Sequence, residues 1–422
     1  MPTLGFMDRA GSGAPYPGSP AAAYRRHLAE SRGSSVGGPE LDDWLMVATI
    51  LHHVAMGPGS GRAALLDAAQ TLAANALGED AIRAGCALDP AADEPTRPAT
   101  LFRVLAERIE EAGVLHVAAN LLEIVQHALA PSSLDVGRIL AQRARIAWKL
   151  GDVELATDRY DTVARLAQSV GSAELRVRAW IGYMGLARHR GNFPESRKWG
   201  SAALVDAEQE GFVRLAGLAH HGMMIVEAVG HNFDAALVHG WHAFLAARGD
   251  REAEADALVN LSQYLLEIGY PAAARAGFGS ILVAQPAPRR ALPAVGGFAI
   301  ASARLGDDAT VRQVAARLVA TVGDASFPYE RATALLECGL ALSAVGGRRE
   351  AEQLYSQALR IAESRGYHEI CHRAEAATAA HGRSALACVQ PLGELGESVA
   401  SEIAALDPGL VADRELLAAL RT

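Results

Sequence analysis

Five histidines fall close together in this chain: His220, His221, His231, His239 and His242. His239 and His242 are three apart, which places both on one face of a helix. Neutral imidazoles on adjacent helices are ligands for zinc or copper. No carboxylate or thiol completes a ligand spacing with them, so the default reading is packed or solvated histidines, with no metal. Glu107, Glu110 and Glu111 offer carboxylates at helical spacing. Nothing near them in sequence supplies a nucleophile, and they read as a solvated helix face. There is no GxGxxG after a strand, no GxxxxGK[ST] and no HExxH, nor a GxSxG nucleophile elbow. "GPGSGR" at 57–62 lacks the lysine and the following Ser/Thr of a phosphate loop. The expectation is a chain that is not an enzyme and needs no cofactor.

The composition says what kind of element would carry these residues. Half of the 422 residues are hydrophobic but only 5% are aromatic, and alanine dominates. Such a chain suits thin helices packed side by side, not sheets. A formal net charge of −9 argues against a general nucleic-acid binder. Cys86, Cys338, Cys371 and Cys388 make no CxxC pair, and "MPTLGFMDRAGSGAP" is no secretory h-region. No apolar run approaches the roughly 20 residues of a membrane span. A cytoplasmic chain with free thiols is expected, with Cys338 as a small core residue.

A period then emerges. Gly113, Gly151, Gly191, Gly230, Gly269, Gly306 and Gly346 follow one another at intervals of 38, 40, 39, 39, 37 and 40 residues. Five residues after most of these glycines comes a small residue, and in several repeats a large one stands four further on: Ala156 and Tyr160, Ala274 and Phe278, Ala351 and Tyr355. Four residues apart on a helix is one face, so the small residue permits close approach and the large one fills the gap beside it. "LLECGLALSAVGGRREAEQLYSQALRIAES" (335–364) shows the pattern best, with Gly339 in the first helix and Gly346–Gly347 at the turn. Trp180 stands eleven before Gly191, and Pro286 seventeen after Gly269.

This pattern resembles the tetratricopeptide repeat. The resemblance covers about residues 99–366, with a period longer than the family's usual one, as in bacterial regulatory arrays. It implies an all-α fold: an α-solenoid, a right-handed superhelix of antiparallel helix pairs, with about seven repeats and helical caps. The expected organisation is a Gly/Pro/Ser-rich tail at 1–38, an N-terminal helical cap at 39–98, the array at 99–366 and capping helices at 367–422. Departures from the pattern gather in the middle repeats. Ser196 and Gly200 replace the small and aromatic residues of the third repeat, and His239 follows Ala235 in the fourth. Gly296 and Gly297 interrupt the first helix of the sixth, which reads as the weakest unit.

In the resembling family a concave groove is lined mainly by the first helix of each pair. Counting back from the turn glycines places Arg138, Gln142, Arg145, Lys149, Arg178, Arg188, His189, His220, Asn260 and Gln263 there. The family often uses asparagine at the position of Asn260 to hold a peptide backbone. Residues 134–200 carry a net charge of +5 against −14 for the remainder, which suggests an acidic segment as ligand. The alternative is that these arginines pair with Asp135, Asp152, Glu154 and their neighbours. The leading expectation is a non-enzymatic interaction module, an adaptor or regulatory subunit, that binds a peptide or protein segment. On this reading, charge reversal at Arg145 and Arg178 abolishes capture with little loss of stability. The runner-up is a regulatory sensor of a small signal or peptide. Such sensors usually carry a helix-turn-helix, and residues 39–90, with Arg62 and Arg83 as their only basic residues, make a poor one. Neither nucleic acid nor membrane is expected as a partner.

Overall fold

Each described turn of the period ends one helix and starts its antiparallel partner. The computed structural model describes residues 115–127, 133–284, 288–320, 327–379 and 389–406, with helical positions between 103 and 110. The expected tail and N-terminal cap, Cys86, Gly113, Pro286, Cys388 and the last stretch, 407–422, lie outside the described residues. No helix among the described residues is long and apolar enough to cross a membrane, and no strand occurs among them.

The chain divides into two compact units, Met1–Asn192 and Phe193–Thr422. The first contains α1 (Leu115–His127), α2 (Leu134–Lys149), α3 (Val153–Val170) and α4 (Ala173–His189). The second contains α5 (Phe193–Gln209), α6 (Val213–Val229), α7 (Phe233–Ala247), α8 (Arg251–Glu267), α9 (Pro271–Ala284), α10 (Pro288–Arg304), α11 (Asp308–Ala320), α12 (Pro328–Ala344), α13 (Arg348–Arg365), α14 (His368–Ala379) and α15 (Glu394–Ala404). Within each unit consecutive helices up to α14 pack together, and first helices also touch the next first helix: α2 with α4, α8 with α10, α10 with α12. α14 covers α12 and α13 at the end of the array.

The turns share one geometry. Gly151, Gly191, Gly269, Gly306 and Gly346 all take a left-handed φ, between 72° and 97°. The amide that follows each donates to a carbonyl five residues back, as Asn192 does to Ala187 at 2.9 Å. That bond satisfies a carbonyl the helix end would otherwise leave open. The fourth repeat is the exception to the sequence alignment. Gly230 has φ −76°, and its neighbour His231 takes the left-handed place at φ 58°. The true register is therefore one residue later, and Ala236 and Gly240, not Ala235 and His239, occupy the small and large positions. Both are buried. A second set of left-handed glycines, Gly171, Gly211, Gly249 and Gly366, ends second helices. Ser133, Asp152, Ser172 and Asp250 cap helix N-termini with their side chains, each contributing about 1 kcal/mol.

The small and large residues pack as the spacing predicts, but across different partners. A Cβ on Gly182 would lie 2.3 Å from the Tyr160 ring, and one on Gly297 would lie 2.2 Å from the Phe278 ring. Both rings thus reach the first helix of the following hairpin. Tyr355 instead rests on Gly339 of its own hairpin. In the sixth repeat the first helix is closely packed despite its two glycines. α10 buries Ala291, Leu292, Ala294, Val295, Phe298, Ala299 and Ala301, and its glycines are where Phe278 and Glu337 come in. Cys338 is fully buried.

Candidate functional site

Arg138, Arg145, Lys149 and Arg178 lie on first helices of the amino-terminal unit, and acids of its first helices hold them. Arg145 of α2 makes two bonds to Glu110, at 3.0 and 2.8 Å, and Lys149 makes a third at 2.8 Å. Glu110 is only 3% exposed. Burial pushes its carboxyl up, but Arg145 and then Lys149 outweigh that and hold it below the ordinary range. One period on, Glu174 of α4 is gripped by Arg138 of α2, whose Nε donates at 3.0 Å, and by Arg178 at 2.9 Å. Burial opposes its ionisation, yet these two guanidiniums bring it down to about 2. Asp135 adds a 3.0 Å bond to Arg138. Gln142 donates to the Arg103 carbonyl at 3.3 Å. The Arg103 guanidinium is pushed down to about 10 by burial and by the like charges of Arg178 and Arg138.

Arg138, Gln142, Arg145, Lys149 and Arg178 thus form one ladder running from first helix to first helix. The pairing alternative for the arginines holds, with Asp135 among the partners but with Glu110 and Glu174 as the main ones. The expectation that reversing Arg145 leaves stability alone does not hold, because it would set a second carboxylate beside buried Glu110. Arg188 is half-buried, and burial lowers its pKa; no ion pair reaches it among the described residues. His189 is exposed and stands edge-on to Trp148 at 6.2 Å.

In the carboxy-terminal unit the candidates are scattered. Asn260 is exposed and donates to the Asp256 carbonyl at 2.7 Å. Gln263 is half-buried on the same helix. His220 does not belong to the ladder. In the corrected register it stands eleven before His231, the place Trp180 holds in the preceding repeat. It faces its own hairpin partner: His220 Nδ1 lies 2.8 Å from His239 Nδ1, and its ring stacks on His242 at 4.9 Å. One Nδ1 must carry a proton and the other must not. Burial, then His239 and His242, push His220 down to about 4; burial also lowers His239. The charged groups nearest this cluster are Glu208 and Glu227, the latter bound to Arg197 and Asn232. No group of three or more His, Cys, Asp or Glu among the described residues is arranged to hold a metal ion.

Sequence reasoning missed Glu337. It stands nine residues before Gly346, the register of Gln142 and Asn260, and is 8% exposed. A Cβ on Gly296 would lie 2.1 Å from its Oε2. Burial raises its carboxyl to about 7, with only distant Arg373 pulling the other way.

No protein-family model matches the chain, and no curated protein matches it. Among solved structures it is similar to a Signal Transduction ATPase with Numerous Domains protein with a tetratricopeptide repeat sensor from Pyrococcus horikoshii. The TM-score is 0.53 at 11% identity, over 86% of this chain and 55% of that one. This chain therefore spans about half the length of that protein. It is also matched to a Rap protein complexed with competence and sporulation factor, at a TM-score of 0.36 and 16% identity, over 79% of this chain and 97% of that one; the second likeness is too distant to bear on the fold. The first likeness shows the fold alone: helical hairpins repeated in a tetratricopeptide-like manner.

Proposed function

We propose that this chain is a non-enzymatic protein-interaction module that holds a peptide or protein segment against the first helices of its amino-terminal unit. The observation that carries this reading is the ladder itself. Long polar side chains pass from one first helix to the next, which gives a continuous polar face on rigid elements. The cations Arg103, Arg138, Arg145, Lys149 and Arg178 outnumber the acids Glu107, Glu110, Asp135 and Glu174 that face them. That excess favours an acidic segment. Arg178 and Arg188 are the cations whose removal leaves the acids paired, since Glu174 stays held by Arg138 when Arg178 is removed and no ion pair reaches Arg188 among the described residues.

Affinity capture from native extract, with wild type beside the double variant Arg178→Gln and Arg188→Gln, tests the reading. The expected result is a partner lost by the variant while the melting temperature is unchanged. A partner retained equally by both excludes this face. Absence of any protein partner would favour a repeat domain that senses a small signal.

A further inference from the structure

α15 breaks the order of the array. It follows α14 in sequence, yet it packs on α7 and α9, the second helices of the fourth and fifth hairpins. Its stripe of Gly396, Val399, Ala400 and Ile403 is buried. Ile403 closes on Gly277 of α9, where an added Cβ would lie 3.3 Å from its Cγ2. The polar anchoring is as specific. The Asp234 carboxylate, in the first turn of α7, accepts from the backbone N–H groups of Gly393 and Gly396, each at 2.9 Å. These are N–H groups that the start of a helix leaves open, where the helix dipole favours an anion. Asp234 is therefore an N-terminal cap supplied from another helix. A Cβ on Gly396 would lie 2.3 Å from its Oδ1, so glycine is what lets the carboxylate in. The Gln390 N–H donates to the Ile268 carbonyl at 2.9 Å. The Tyr270 hydroxyl donates to Glu397 at 2.9 Å, and that of Ser280 to the Leu406 carbonyl at 2.8 Å.

We propose that the α7–α9 face is a docking groove for one amphipathic helix, that α15 is its occupant within the chain, and that residues 389–406 of a second copy can take the same seat. All the anchors above join residues 390–406 to residues 234–280. A segment from another chain would make the same set, which is the condition for exchange of an element between protomers. α15 is therefore held both by the buried Val399, Ala400 and Ile403 and by the polar anchors at Asp234, Ile268, Tyr270 and Ser280.

The test uses the full chain with Val399→Glu and Ile403→Glu, which unseats its own helix, titrated with a fluorescent synthetic peptide of residues 389–406. The variant is expected to bind the peptide at least tenfold more tightly than wild type, whose seat is filled at high effective concentration. Adding Asp234→Ala to the variant should remove at least tenfold of that affinity. Equal binding by variant and wild type, or none by either, overturns the proposal. Should the double-glutamate chain fail to fold, Asp234→Ala alone is examined by hydrogen exchange. The amides of 394–404 are then expected to exchange at least tenfold faster, with those of α12 unchanged. Unaltered protection of α15 overturns the proposal by that route.

Discussion

Glu110 and Glu337 both lie on first-helix segments and both are almost completely buried, yet they are held in opposite states. Glu110 meets Arg145 and Lys149 from the next first helix and stays ionised. Glu337 faces the preceding first helix at Gly296, which offers no side chain, and its carboxyl rises to about 7. The same contrast separates Glu174, paired twice, from His220, which two other imidazoles and burial keep neutral. One repeated scaffold thus buries titratable groups in two ways. Where the neighbouring repeat supplies the opposite charge, the group is paired; where it supplies a glycine or a like group, the group is neutralised. Only the first arrangement builds a charged face.

The largest effect should come from breaking the pairing. Arg145→Glu removes the main partner of a buried carboxylate, and should cost about 3–5 kcal/mol in urea denaturation. Arg348→Glu, at an exposed pair with Glu352 on α13, should cost no more than about 1 kcal/mol. Equal costs would erase the contrast.

Next comes the neutral site. The folded-state pKa of Glu337 is raised from 4.5 to about 7, so the unfolded chain releases this proton first. The contribution to stability is present below pH 4.5 and is lost as pH rises through 7. Glu337→Gln should therefore stabilise the chain at pH 8, by an amount on the order of 3 kcal/mol, and have little effect at pH 4. A substitution that destabilises equally at both pH values would mean that the carboxyl is ionised and paired.

A smaller effect sharpens the packing side of the comparison. Gly182→Ala drives a methyl group into the Tyr160 ring and should cost about 1–3 kcal/mol. Gly185→Ala, three residues along the same helix with nothing within 4 Å, should stabilise by about 1 kcal/mol. Thermal melts of the two variants decide it.

How much of this was legible in the sequence follows from what a glycine marks. Gly151, Gly191, Gly269, Gly306 and Gly346 each sit at a left-handed turn, so the period gave hairpins in register. Gly230 misled by one residue because a histidine takes the glycine's conformation beside it, which no spacing reveals. That slip carried His220 onto the open face, whereas it belongs inside its hairpin. The ladder was half legible. Arg138 and Glu174 are 36 residues apart and Arg145 and Glu110 are 35, just under one period, so a search for opposite charges at that separation would have paired them. The seat of α15 was not legible. Asp234 and Gly393 are 159 residues apart, and no repeat relates them.

The measurement that bears most directly on the proposed function is site-specific photo-crosslinking in native extract. A photoreactive residue at position 185 of α4, on the ladder side near Arg178, is compared with one at position 162 of α3, a second-helix site that is half-buried like 185. The account predicts a partner adduct at 185 and none at 162, lost in the Arg178→Gln and Arg188→Gln background. An adduct at 162 alone, or one at 185 that survives removal of both arginines, would contradict it.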